Sequence, residues 1–208
     1  LNGAQVGSTY TNSNLNSYLN GLNCIGAGNN PVASNPVTGY ISDVRLVKGT
    51  ALYTSTFTPP TAPLTAIANT VLLCNFTGAG IYDLSSKNDI TTFGGASVNV
   101  AQSKFGGSMY FNGTDAYLGL PINAVTQFGT GDFTIEAWIF RVGTTGGNGS
   151  AALIFGTNWS GSSQTGQYIF YLTSTYTVKL SVWTSVSTDV VTSTSVINTG
   201  QWYHVAVS

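Results

Sequence analysis

Seven acids, Asp43, Asp83, Asp89, Asp115, Asp132, Asp189 and Glu136, and one histidine, His204, are the residues of this 208-residue chain best suited to acid–base chemistry. Hydrolysis of a glycosidic bond needs two carboxylates a few ångströms apart. Glu136 and Asp132 fall in one alternating run, Asp132–Arg141, and would share a face of a strand. Four residues of strand separate them by about 13 Å, too far even for an inverting pair. Glu136 therefore reads as a packing or hydrogen-bonding acid beside Trp138. His204 lies in a second alternating run, Trp202-Tyr203-His204-Val205-Ala206-Val207, and reads as a strand residue satisfied by its neighbours rather than as the base of a Ser-His-Asp relay. Cys24 and Cys74 form no CxxC pair, and two buried thiols or one disulfide both fit them. With one histidine and two distant cysteines, a clustered His/Cys zinc site is not available within the chain. The expectation is a protein without catalytic residues.

The elements that carry these groups are strands. Apolar residues make up 42% of the chain and charged residues only 6%, so there is enough apolar surface for a large core. Hydroxyls and amides must do the solvating. No apolar run approaches the length of a membrane span, and six scattered Lys and Arg make no basic patch for nucleic acid. Short alternating or β-branched runs recur between Gly, Asn, Ser and Thr clusters. They predict strands at 22–26, 40–47, 70–76, 108–111, 116–120, 132–141, 151–155, 168–173, 178–184, 189–193 and 202–207. Twenty-five glycines supply turns, and 142–150 and 156–166 read as flexible loops. The fold class that follows is all-β, an antiparallel sandwich or barrel.

Phe57-Thr58-Pro59-Pro60-Thr61-Ala62-Pro63-Leu64 cannot sit inside a sheet, because proline donates no hydrogen bond and restricts the residue before it. It reads as an extended linker between β units, with a long crossover loop as the other reading.

Several runs resemble the laminin-G / concanavalin-A-like jelly roll, and more narrowly the tandem repeats of tail-fibre and other virion proteins of marine bacteriophages. Gly39–Tyr53 with the following Phe57-Thr58-Pro59-Pro60 is similar to the closing strand and exit of such a repeat. Val71–Phe76 is similar to the opening strand, Ser103–Gly113 and Phe128–Trp138 to the next landmarks, and Gln201–Val207 to a mid-domain strand. Closing landmarks precede opening ones. The resemblance thus implies residues 1–62 as the C-terminal part of one repeat, 63–69 as linker and 70–208 as the N-terminal part of the next. The implied fold is a two-sheet jelly roll, cut mid-repeat or circularly permuted into one sandwich.

The resemblance also implies a non-enzymatic virion or extracellular module that contacts host-surface glycans beside neighbouring repeats, in a homotrimer. A purely structural spacer is the alternative. A sugar site needs an exposed aromatic beside amides or carboxylates. Trp159 and Asn158, in a polar loop, are the best candidates, and Tyr117 a further one. Laminin-G-like domains often hold Ca²⁺, which takes oxygen ligands. The candidates for it are Asp83 with Asn88 and Asp89, and Asp115 with Asn112.

Overall fold

The computed structural model describes residues 1–6, 21–29, 33–78, 80–144, 151–157, 166–183 and 187–208. Among them there is no helix, only strands and their connections. The first five are β1 (Leu22–Ile25), β2 (Gly28–Asn29), β3 (Ala33–Ser34), β4 (Thr38–Lys48) and β5 (Thr70–Cys74). Next come β6 (Thr91–Phe93), β7 (Ser97–Asn99), β8 (Ser108–Asn112), β9 (Tyr117–Pro121) and β10 (Phe133–Arg141). The last are β11 (Ala152–Thr157), β12 (Tyr168–Leu172), β13 (Thr177–Trp183), β14 (Ser187–Val196) and β15 (Trp202–Val207). All eleven predicted strands are present with ends shifted by a few residues. The four additional ones, β2, β3, β6 and β7, are two or three residues long.

Two antiparallel sheets stack. One has seven strands in the order β14-β13-β12-β11-β1-β9-β6; the other runs β15-β10-β4-β8-β7, with β5 also paired to β4. Strands from both sides of residues 63–69 are interleaved in both sheets: β1 lies between β11 and β9, and β4 between β10 and β8. Ile25, Ile41, Met109, Phe111, Leu118, Ile135, Phe155, Tyr168 and Phe170 fill the space between the sheets with essentially no exposed surface. Gly26 is required at the edge of this core. Its φ is +92°, and a Cβ there would lie 2.2 Å from the Phe111 ring.

One irregularity decides what β4 shows to each side. Ser42 pairs with Trp138 and Arg45 with Glu136, so Asp43 and Val44 together face Ala137. This is a β-bulge, and Asp43 adopts a left-handed φ of +52°. The extra residue shifts the alternation by one. Ile41, Val44 and Leu46 all reach the core, whereas Tyr40, Ser42 and Arg45 face outward.

Residues 49–69, which include the proline segment, run across the outer face of the six-stranded sheet and are fastened to it. Thr134 Oγ1 accepts the Leu52 N–H (2.9 Å), Arg45 Nη1 donates to Thr65 O (3.0 Å) and the Leu64 N–H donates to Asp43 Oδ1 (2.8 Å). Leu64 is buried. The segment is extended and prolyl as expected, but it is a strap rather than a free tether. On the opposite side of the molecule a second apolar cluster covers the outer face of the seven-stranded sheet. There Cys24, Leu153, Ile169, Tyr171 and Tyr117 pack with Ala27, just before β2, and with Ala33 of β3.

Candidate functional site

Among the described residues, the largest gathering of buried ionisable groups lies under the strap. Alternation puts Glu136 on the outer face of β10, because Ile135 and Ala137 point into the core. The bulge brings Arg45 of β4 opposite it, and β15 brings His204 beside it. Arg45 Nε donates to Glu136 Oε1 at 2.8 Å, with Nη2 2.5 Å from the same oxygen. Tyr53 of the strap donates its phenol hydrogen to Oε2 at 2.8 Å, and His204 Nε2 lies 2.9 Å from Oε2. Glu136 and His204 are fully buried, and Arg45 nearly so.

Aromatic rings close the cluster. Phe57 stacks on Tyr53 at 3.7 Å, both rings meet His204 edge-on, and Trp138 lies 5.2 Å from the imidazole. Lys104 sits 4.0 Å over Trp138. His204 Nδ1 and Trp138 Nε1 are buried without hydrogen-bond partners among the described residues.

The electrostatics follow from this packing. Burial raises the Glu136 carboxyl, but the His204 hydrogen bond, the Arg45 charge and Tyr53 outweigh it and hold the group below the ordinary glutamate range. A glycosidase acid needs the opposite shift. Burial, and then the Glu136 charge, push the Tyr53 phenol well above its usual value. Asp43 is raised to about 6, by burial first, against the hydrogen bonds from Leu64 and Ser42 that favour its charged form. The cluster can therefore hold strap to sheet by charge-assisted hydrogen bonds; it lacks a raised carboxyl facing an accessible partner.

Trp159 and Asn158 lie outside the described residues. Tyr117 is buried, 7% exposed, and one face of its ring is covered by Phe93, stacked at 4.4 Å and 6°. Asp83 and Asn88 come together: Asn88 Nδ2 donates to Asp83 Oδ2 at 2.7 Å. The same carboxylate also accepts from the N–H groups of Leu73, Ser85, Lys87 and Asn88 and from the Ser85 hydroxyl. A calcium ion there would have to displace these donors, so the set does not fit one.

Asp115 does not join Asp83 and Asn88. It sits in the turn after β8, where it accepts from Asn112 Nδ2 at 2.7 Å. Leu73, to which Asp83 is bonded, pairs with Arg45, whereas Asn112 pairs with Thr38. Thr38 and Arg45 are seven steps apart along β4, up to about 23 Å of strand. Among the described residues no three His, Cys, Asp or Glu side chains gather as metal ligands. Cys24 and Cys74 are both buried, and no disulfide joins them.

The region that carries β9 to β15 also has a counterpart among known families. Residues 112–208 match the model of the concanavalin A-like lectin/glucanases superfamily. The described residues fold as an all-β, two-sheet antiparallel jelly-roll sandwich, and the concanavalin A-like likeness belongs to residues 112–208. No curated protein and no solved structure matches the chain. Within this jelly roll the strap and its Arg45–Glu136–His204–Tyr53 cluster are what sequence reasoning missed. Glu136 and His204 were each legible as hydrogen-bonded strand residues. Arg45 and Tyr53 carried no signal, because their partner is 91 and 83 residues away.

Proposed function

We propose that the chain is a non-enzymatic carbohydrate-contact module, one unit in a series of similar repeats of a virion or tail-fibre protein that meets glycans on a host surface. The observation that carries the non-catalytic part is Glu136: fully buried, bonded through both oxygens and held below its ordinary pKa. The likeness of residues 112–208 to a superfamily of lectins and glucanases supports a sugar as the ligand class. Trp159 and Asn158 are the residues assigned to first contact, and weak contacts would add through repetition and a trimeric assembly. A structural spacer without ligand is the second reading. What favours it is Tyr117, whose ring is spent on Phe93 rather than offered to solvent.

A glycan array with the folded chain separates the two. A defined hit that Trp159→Ala removes supports the contact module. A silent array, from protein whose near-ultraviolet dichroism shows fixed aromatic packing, leaves the spacer.

A further inference from the structure

Below the strap, the outer face of the six-stranded sheet carries a row of aromatic rings, one on each of four adjacent strands. Tyr110 of β8 is directly opposite Tyr40 of β4, Tyr40 opposite Phe140 of β10, and Phe140 opposite Trp202 of β15. Successive centroids are 5.2, 6.0 and 5.5 Å apart. Their strand neighbours Met109, Ile41, Ile139 and Tyr203 are the core residues, so the row faces away from the core, and each ring keeps part of its surface exposed. Val142, two residues beyond Phe140, extends the patch and is 52% exposed.

We infer that this row is a second carbohydrate surface, one that takes a single chain of a neutral polysaccharide along the direction that crosses the strands. The inference rests on the carbohydrate reading above and adds to it a site and a substrate class. No Lys, Arg, Asp or Glu belongs to the row, so it offers nothing to pair with a charged ligand or to stabilise a basic or acidic protein partner. Ring surface suits the C–H faces of pyranoses. The two phenol hydroxyls, which have no hydrogen-bond partner among the described residues, suit their hydroxyls. Adjacent rings are turned by 45°, 72° and 56°, which makes the surface corrugated rather than flat. That relief matches one twisted chain and not the plane of a crystalline polymer.

The test uses the full chain with neutral hexasaccharides: cellohexaose, laminarihexaose, maltohexaose, mannohexaose and chitohexaose. Calorimetry is run on the wild type, Trp202→Ala, Tyr110→Ala and Trp159→Ala, each checked for folding by near-ultraviolet dichroism. Hydroxyl-radical footprinting is run on the wild type alone, which needs no variant to fold. Supporting results are an affinity for one hexasaccharide that falls about tenfold in Trp202→Ala or Tyr110→Ala, footprint protection at Tyr40, Tyr110, Phe140 and Trp202, and no retention on crystalline cellulose. Binding lost only in Trp159→Ala, with the row unprotected, overturns the second surface and leaves the carbohydrate reading standing. Absence of binding to every hexasaccharide overturns this inference, and a hit on the glycan array would leave the carbohydrate reading standing. Protection of the row by self-association, seen as a dimer in sedimentation that Trp202→Ala abolishes, assigns the row to a second copy and overturns the inference.

Discussion

Replacing Asp43 by Asn should make the protein more stable at neutral pH, and the size of the gain follows from where Asp43 sits. The carboxyl is fully shielded from solvent in the β4 bulge and titrates at about 6 against 3.8 for a free aspartate. Between those values the folded chain holds a proton that the unfolded chain has released, so stability contributed at this position falls as pH rises from about 4 to about 6. A gap of that size corresponds to about 3 kcal/mol, all of it lost above pH 6. Asparagine carries no charge at any pH, keeps an Oδ1 to accept the Leu64 N–H, and tolerates the left-handed φ of +52°. Its amide hydrogens can point toward Ser42 Oγ, which lies 2.9 Å from Asp43 Oδ2 and 2.9 Å from Gly107 O. Urea denaturation of wild type and Asp43→Asn from pH 4 to 7.5, followed by tryptophan fluorescence, reads the difference directly and cancels the other titrating groups. The expected difference is near zero at pH 4 and rises to about 3 kcal/mol in favour of the variant by pH 7. A variant less stable than wild type at pH 7, or a difference that does not change with pH, would refute the placement of a strained, desolvated carboxylate under the strap.

Glu136→Gln strips the charge that balances Arg45 and should cost about 3 kcal/mol, because it leaves a buried guanidinium uncompensated; a melting scan should show a drop of about 6–12 °C. In a double-mutant cycle with Arg45→Met, the two losses should be strongly non-additive, and simple additivity would separate the pair. Phe57→Ala removes the ring stacked on Tyr53 and edge-on to His204, and limited proteolysis should then cut within 49–69 well before global unfolding; unchanged protection would mean the strap is held elsewhere. Gly107→Ala would place a Cβ 1.7 Å from the Phe76 carbonyl oxygen, and a destabilisation above about 2 kcal/mol is expected by chemical denaturation.

The strand content was legible because alternation needs only a handful of consecutive residues, and the eleven longer runs supply it. The four short elements, β2, β3, β6 and β7, have only two or three residues, too few to show a period. The bulge at Asp43 could not be read, since inserting one residue leaves Tyr40–Val47 looking like an ordinary strand while it reverses which side chains face the core. Prolines 59, 60 and 63 correctly excluded a sheet interior. They say nothing about docking, which depends on Tyr53, Phe57 and Leu64 finding partners on β4, β10 and β15. For the site, Glu136 beside Trp138 was readable as a hydrogen-bonded acid. The set that neutralises it was not, because a fold, and no spacing rule, brings residues 45, 53, 136 and 204 together. Tyr117 looked equally suited to core or surface in the sequence, and only its contact with Phe93 on a neighbouring strand places it.

The central claim, that this jelly roll holds carbohydrate without cutting it, is tested by one sample carried through two readouts. A neutral oligosaccharide that binds by calorimetry is incubated with the chain for a day, with and without a chelator, and then weighed by mass spectrometry. The expected result is measurable binding in both conditions and a saccharide recovered at its original mass. Shortened products would contradict the account by demanding a catalytic acid that Glu136 is not placed to be. Loss of binding with the chelator would contradict it by demanding a metal site that Asp83, Asn88 and Asp115 do not form.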